Sequence, residues 1–391
     1  MIWNLIHIID ILLWLFMAGS IGYVSFFALV SVIKRKEKTD SVRRSTLSPH
    51  CHFLVLIPAY KEDSVILNTV ETFLKQDYPS SNFQLTVISD HMQQSTNAKL
   101  AALPIKLLQP DFEKSSKAKA LQYAIQQTET AYTHVVILDA DNHVRPDFLT
   151  RLDSICQKGY QAIQCHRTAK NDNNDIAVLD GLSEEINNTL FRRAHNNIGL
   201  SSALIGSGMC FGYEWFCKNV PHLNSAVEDR ELEALLLKQN IYVKYVDTIL
   251  IMDEKVSNSD NFQRQRLRWM TGQLQALQHM LPYVPRAIAT GNINYLDKTV
   301  QQMLIPRSIL LVITPIMALG MTLLAFTWSP KWWAMLLCLC LSIYIAIPKQ
   351  MRTHAIFGRL TALPMLVWRM LKNLSQIDRK NKEFIHTTHN T

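Results

Sequence analysis

The chain has 391 residues, 48% of them hydrophobic and 18% charged, which is too long for one minimal domain and too apolar for a disordered chain. Lys and Arg number 40 against 32 Asp and Glu, a net charge of +8, so an anionic partner has to be sought where the basic residues sit. Cys51, Cys156, Cys165, Cys210, Cys217, Cys338 and Cys340 form no CxxC pair. That usage suggests neither a disulfide framework nor a zinc module and fits a reducing compartment.

Residues 2–33 carry one acid, Asp10, and no base before Lys34. The run exceeds the roughly 20 apolar residues that span a bilayer, and it lacks the basic start and short apolar region of a cleaved signal peptide. It is expected to be an uncleaved transmembrane anchor over 1–33, followed by a basic juxtamembrane linker over 34–50 that holds the following chain on the cytoplasmic side. Two further apolar runs, 303–326 and 332–348, predict a transmembrane hairpin over 303–348. Beyond it, RLTALPMLVWRMLKN alternates basic and apolar residues as an interfacial helix does, and 349–391 ends in a basic cytoplasmic tail. A multi-pass cell-membrane protein follows. Much of the basic excess is juxtamembrane, and no zinc finger or RNA-recognition signature points to nucleic acid.

Between these ends, FLVLIPAY (53–60), QLTVISD (84–90), HVVILDAD (134–141) and QAIQCHR (161–167) read as strands, several continuously apolar as buried parallel strands are. They alternate with helical stretches at 64–76, 116–128 and 145–158, the last with Pro146 in its first turn. The alternation predicts an α/β fold with an open, Rossmann-like, mainly parallel sheet, in which ligands bind beyond the carboxyl ends of the strands. Those ends are polar: Pro58 to Asp63 after the first, Asp90 at the second, Asp139 and Asp141 at the third. No GxGxxG follows the first strand, so the dinucleotide fingerprint is missing. Asp139 and Asp141 have the spacing to meet a hard divalent cation, Mg or Mn, that bridges phosphates. The cysteines and His166 match no metal set.

From about 53 to 270 the sequence resembles a family 2 glycosyltransferase of the GT-A fold, in its membrane-integrated branch of cellulose, chitin and hyaluronan synthase type. The resemblance rests on seven motifs in family order: LIPAYKED, VISDHMQQST, SSKAKALQYAI, LDADNHVRPDFL, IGSGMCF, VEDRELEALLL and the QxxRW signature QRLRW. It implies a GT-A domain over 51–260 and interfacial helices with QxxRW over 261–302. One departure is that DHMQQST lacks the second acidic residue many relatives carry there, which puts the finer donor contacts in doubt.

Carried residue by residue, the resemblance implies that Pro58, Tyr60, Glu62 and Asp90 hold the nucleotide's base and ribose. Lys117, with Lys119 as its rival, serves the diphosphate, and Asp139 and Asp141 hold the metal. Asp229 is the implied catalytic base, with Glu228 the alternative. Arg268 meets phosphate, while Gly206, Ser207, Gly208, Gln265 and Trp269 line the acceptor side.

The implied activity is inverting, metal-dependent transfer of a sugar from a nucleotide-diphosphate donor, a UDP-sugar above all, to a growing polysaccharide at the cytoplasmic membrane face. Transfer of one sugar to a membrane lipid is the first alternative. A non-catalytic scaffold or nucleotide-sugar sensor is the second. Membrane lipids, a glycan or lipid acceptor, and an oligomer or export partner are the partners implied.

Overall fold

The computed structural model describes residues 2–33, 51–172, 174–225, 227–255, 259–353 and 358. The basic linker at 34–50 and the interfacial helix and tail expected beyond 358 lie outside the described residues.

Eight strands form one sheet: β1 (Phe53–Tyr60), β2 (Phe83–Asp90), β3 (Lys106–Leu108), β4 (His134–Ile137), β5 (His143–Val144), β6 (Ala162–Ala169), β7 (Met209–Gly212) and β8 (Val243–Asp253), in the order β3-β2-β1-β4-β7-β6-β8-β5. In β1 the side chains alternate between the two faces, as a period of two requires. Phe53, Val55 and Ile57 join a core with Ile66, Phe73 and Phe148, whereas Leu54 and Leu56 join a second core with Leu121, Phe211 and Leu236. Helices therefore cover both faces, which is why β1 reads as a continuous apolar run.

The sheet is mainly parallel, with two antiparallel strands among the parallel ones. β3, β2, β1 and β4 run parallel, as do β6 and β8, but β7 lies antiparallel between β4 and β6, and β5 is antiparallel to β8. Strands β3, β5 and β7 have 3, 2 and 4 residues, too few to display a period in sequence. β4 stops at Ile137, earlier than expected. Leu138 N still donates to Leu56 O, and the chain then turns with Asn142 N donating to Asp139 O, so Asp139 to Asp141 occupy a turn beyond the strand. Pro146 precedes its helix, which starts at Phe148, and the Pro146 carbonyl accepts from Asp77 N at 2.8 Å.

Among the described residues three helices are long and apolar enough to cross a membrane: Trp3–Val32, Arg307–Leu324 and Phe326–Ala346. Met17 and Ile21 of the first pack on Leu310 and Ala318 of the second and on Trp332, Met335 and Leu339 of the third. Leu12, Phe16, Leu319, Leu323 and Leu337 face outward, exposed. Asp10 is reconciled with this apolar setting by accepting from Trp332 Nε1 at 2.8 Å and from Lys331 Nζ. The first helix is also tied to the α/β domain. Tyr23 Oη donates to Asp297 Oδ1 at 2.7 Å, His195 Nε2 lies 3.2 Å from Asp297 Oδ2, and the Phe27 ring stacks on His195.

The helix Asp175–Asn187 continues through a π-helical turn, Asn188–Arg193, into Ala194–Asn197. Such turns insert an extra residue per turn and redirect side chains, often beside functional sites.

Phe148 fills the core beneath β1 and is fully buried. Phe148→Ala is expected to lower unfolding stability by about 3–5 kcal/mol, read from denaturant titration of the detergent-solubilised chain.

Candidate functional site

The carboxyl ends of β1, β2 and β8, the turn after β4 and several helix starts border one cavity of about 540 Å³, a volume suited to a nucleotide-sized ligand. Pro58, Tyr60, Glu62 and Asp90 line it from β1 and β2. Tyr60 and Asp90 are register partners across these strands, and each is followed by a residue in the left-handed region, Lys61 at φ 56° and His91 at φ 54°. Strain of this kind in residues other than Gly clusters at functional sites. Asp90 Oδ1 lies 2.6 Å from His91 Nδ1.

Lys117 opens the helix Lys117–Gln126, whose N-cap Ser116 Oγ accepts from Lys119 N. The Lys117 ammonium donates to Asp139 Oδ1 at 2.5 Å and to Gly206 O at 2.7 Å, and lies 3.5 Å from Glu228 Oε1. Burial alone would favour its neutral form, but Asp139 and Glu228 overcome this and hold it above the usual lysine range. Lys119 instead donates to Lys114 O at an exposed position, so of the two lysines only Lys117 lines the cavity.

Gly206 sits at φ 82°, and a Cβ there would lie 3.7 Å from Asp229 Oδ2 and 3.8 Å from both Glu228 Oε1 and Lys117 Nζ. The missing side chain leaves room where these charges meet. Ser207 and Gly208 do not line the cavity. Ser207 is fully buried and its hydroxyl donates to Asn142 Oδ1, while a Cβ at Gly208 would stand 2.7 Å from Ile251 Cγ1. Ser207 supports the Asp139–Asp141 turn from behind, since Asp139 N donates to Asn142 Oδ1 at 3.0 Å and to Ser207 Oγ at 3.3 Å, whereas Gly208 N donates to Ile137 O at the end of β4.

Glu228 and Asp229 start the helix Glu228–Lys238, where negative charge meets the positive end of the helix dipole. Both line the cavity, and Asp229 Oδ1 accepts from Arg230 N at 2.8 Å. Burial, opposed by Lys117 and reinforced by Asp229, raises the Glu228 carboxyl to about 7. Gln265, Arg268 and Trp269 line the opposite wall from the helix Ser259–Met280. Burial lowers the Arg268 guanidinium from its usual range, against the pull of Glu228, Asp139 and Asp229.

Asp139, Asp141 and Asp253 also line the cavity. Asp141 Oδ1 accepts from Asn142 Nδ2 at 3.1 Å and its Oδ2 from Glu254 N at 2.9 Å, which orient the carboxylate at the cavity wall. An all-oxygen carboxylate set of this kind fits a hard divalent cation such as Mg or Mn.

Several residues with functional bearing had no motif to mark them. Arg167 on β6 pairs with Glu184 at 3.0 Å and lies 3.9 Å from both Asp139 and Asp253. Lys255 Nζ lies 2.7 Å from Asp253 and 3.8 Å from Glu184. These cations, with Arg192, overcome burial and hold the Glu184 carboxyl down at about 2. An acid ending a strand was the usable signal for Asp253, but β8 itself was not anticipated.

Cysteine ligands do come together, contrary to the reading from spacing. Ligand atoms of Cys51, His134 and Cys156 all lie within 4.8 Å of one another. They flank the amino ends of β1 and β4, away from the cavity, and are too far apart in sequence to form a spacing motif. His166 takes no part: Glu185 and Asp247, each at 2.9 Å, raise it to about 9 against burial.

Residues 49–272 match the family described as glycosyltransferase like family 2. No curated protein matches the sequence. Among solved structures the fold is similar to the mannosyltransferase PcManGT from Pyrobaculum calidifontis in complex with GDP-Man and Mn2+, at a TM-score of 0.55 and 14% identity over 93% of this chain and 98% of that one. S. aureus TarS 1-349 overlaps at a TM-score of 0.43 and 13% identity, over 83% of this chain and 88% of that one. Glucosyl-3-phosphoglycerate synthase from Mycobacterium tuberculosis, in complex with Mn2+, UDP and phosphoglyceric acid, overlaps at 0.38 and 15% identity, over 54% and 73%.

The raised Glu228 carboxyl has a consequence for stability. A carboxyl lifted from its usual 4.5 to about 7 binds its proton more tightly in the folded chain, so folding loses stability as pH rises between those values and levels off above them. Glu228→Gln is expected to remove this slope, so that its melting temperature gains on wild type as pH goes from about 4.5 to 7, measured by thermal scans across pH.

Proposed function

Because the chain belongs to glycosyltransferase-like family 2, we propose that it transfers a sugar, with inversion, from a nucleoside-diphosphate sugar to the hydroxyl of a membrane-borne acceptor. The observation that carries this reading is the meeting of opposite charges around Gly206: Asp229, Glu228, Lys117 and Asp139 border one cavity within a few bond lengths of one another. A base for the acceptor and cations for the leaving group are thus neighbours.

Asp229 takes the proton of the acceptor hydroxyl as its oxygen attacks the anomeric carbon, and the bond from that carbon to the β-phosphate oxygen breaks on the opposite face. The electron pair leaves with the nucleoside diphosphate, whose charge Lys117 and Arg268 receive in a site fixed before the reaction. Tyr60, Glu62 and Asp90, at the ends of β1 and β2, suit the base and ribose, a UDP-sugar being the donor the motifs suggest. Asp139 and Asp141 would hold Mg or Mn, which when bound supplies further neutralisation of the diphosphate. Trp269 and Gln265 face the acceptor.

The three apolar helices support a multi-pass membrane protein, and the basic residues of 34–50 are what supports a cytoplasmic α/β domain. Elongation of a polysaccharide is the acceptor reading that QxxRW suggests. Transfer of a single sugar to a lipid is favoured by a separate observation, that the cavity extends to Val24, Ile305 and Arg307 at the apolar helices.

Nucleotide release and mass analysis of product, with the full chain in nanodiscs and a donor panel, test the proposal. Asp229→Asn is expected to slow turnover about 10²–10⁴-fold while donor binding persists. Asp141→Ala is expected to abolish stimulation by Mn. Wild-type turnover in Asp229→Asn would sink the assignment of the base, and absence of metal-stimulated donor binding in the wild type would sink the reading as a whole.

A further inference from the structure

The cavity is also lined by Ser183, Asn187, Ile305, Arg307 and Val24, and this stretch, where it adjoins the apolar helices, is referred to as its second arm. Several charged residues of the cavity wall are neutralised in pairs: Lys298 holds Glu233 at 2.5 Å, Arg192 lies 3.5 Å from Glu184, and Arg266 holds Asp180 at 2.6 Å. Arg307 departs from that rule. Its Nη2 donates to Asn187 Oδ1 at 2.7 Å and to Ser183 O at 3.3 Å, both neutral acceptors. Its Nη1 is shielded from solvent and has no hydrogen-bond acceptor among the described residues. Arg266 lies close enough to repel it, and Glu184, already paired with Arg167 and Arg192, offsets this from beyond ion-pair distance.

A guanidinium shielded from water without a carboxylate partner is costly, and an anion entering the arm relieves that cost. Its planar fork matches the paired oxygens of phosphate better than an ammonium does. The position adds a second constraint. Arg307 begins an apolar helix long enough to cross a membrane, and Ile305 and Val24 beside it are apolar. An anion held here therefore has apolar side chains beside it in the same cavity that Asp229 lines.

We propose that this arm is an acceptor subsite for a phosphate-bearing lipid, with Arg307 as the phosphate ligand and Arg266 as its cationic neighbour. The subsite rests on the glycosyl-transfer reading for its role but not for its detection, because binding is measured without turnover. The lipid's phosphate is held and not transferred. The bond made is still that between an acceptor hydroxyl oxygen and the anomeric carbon, the proton goes to Asp229, and the nucleoside diphosphate leaves with the electron pair.

The test uses the full chain in phosphatidylcholine nanodiscs, with the donor site saturated by nucleoside diphosphate and Mn. The probes are lysophosphatidic acid and the monoacylglycerol of the same chain, with glycerol phosphate as the soluble competitor. Lysophosphatidic acid is expected to bind at least about tenfold more tightly than monoacylglycerol. Arg307→Gln is expected to close that gap to within about threefold, and Arg307→Lys to keep most of it. Should Arg307→Gln fail to fold, Arg266→Gln is expected to narrow the gap in the same direction. Equal binding of the two lipids by wild type overturns the proposal, as does a gap that Arg307→Gln and Arg266→Gln leave unchanged. Competition by glycerol phosphate as effective as by lysophosphatidic acid makes the site one for soluble phosphate and overturns the lipid assignment. Saturable, Mn-dependent nucleotide binding in the same preparation is read separately, so loss of the donor reading and loss of the subsite are distinct results.

Discussion

The site is governed by one constraint: carboxylates gathered at strand ends and on the flanking helices, in a largely buried setting, share a small set of cations. Asp139, Asp253, Glu184 and Glu228 stand against Lys117, Arg167, Arg192 and Lys255, and these partners are shared rather than paired one to one. Removing a member of such a set strands a buried charge, a larger cost than the set's net contribution to folding. The charges are therefore fixed in place by the fold before any ligand arrives. That is the condition under which dipoles and charges stabilise a developing anion without reorganising. Lys117 embodies both roles, since the ammonium that neutralises Asp139 and Glu228 is also one of the two cations assigned to the leaving group in the proposed reaction.

Much of this was legible where a physical pattern repeats over enough residues. β1 was readable because nearly all of its eight residues are apolar, β2 because β-branched and apolar residues run through its middle, and the three apolar helices because their length and scarcity of charge leave few alternatives. Lys117, Asp141, Asp229 and Arg268 were found through motifs and strand ends, and all line the cavity. The supporting charges were not legible. Arg167 lies inside a strand whose other residues are mostly apolar, and Glu184 lies on a helix; neither position announces that it faces Asp139 or Lys255. Their meeting is set by β8 lying beside β6, a parallel pairing between strands about 80 residues apart. Ser207 and Gly208 mark the converse error. A motif near a site carries residues that build its wall as well as residues that face it, and only packing separates Gly206 from its two successors.

The connection between the apolar helices and the cavity runs through one stretch of backbone. The π-helical turn Asn188–Arg193 lets adjacent residues serve opposite sides of the helix. Asn188 donates to Arg167 O at 2.8 Å and accepts from Arg192 at 2.8 Å, which fixes Arg192 against Glu184 on the cavity side. Arg193 turns the other way to grip Asp247 at 2.8 Å, and this, with His166, holds the Asp247 carboxyl below its usual range against burial. Immediately after the turn, His195 stacks on Phe27 and shares Asp297 with Tyr23. A rigid displacement of the helix Ile2–Val32 cannot then occur without disturbing either that aromatic and polar contact or the π turn that it abuts. Arg307 adds an independent tie through Asn187, the last residue before the turn. Two of the apolar helices thus meet the same segment that positions Arg192 and Arg167. The charge lattice around the reaction site is therefore continuous with the packing of those helices, and their arrangement sets the shape of the cavity as directly as the sheet does.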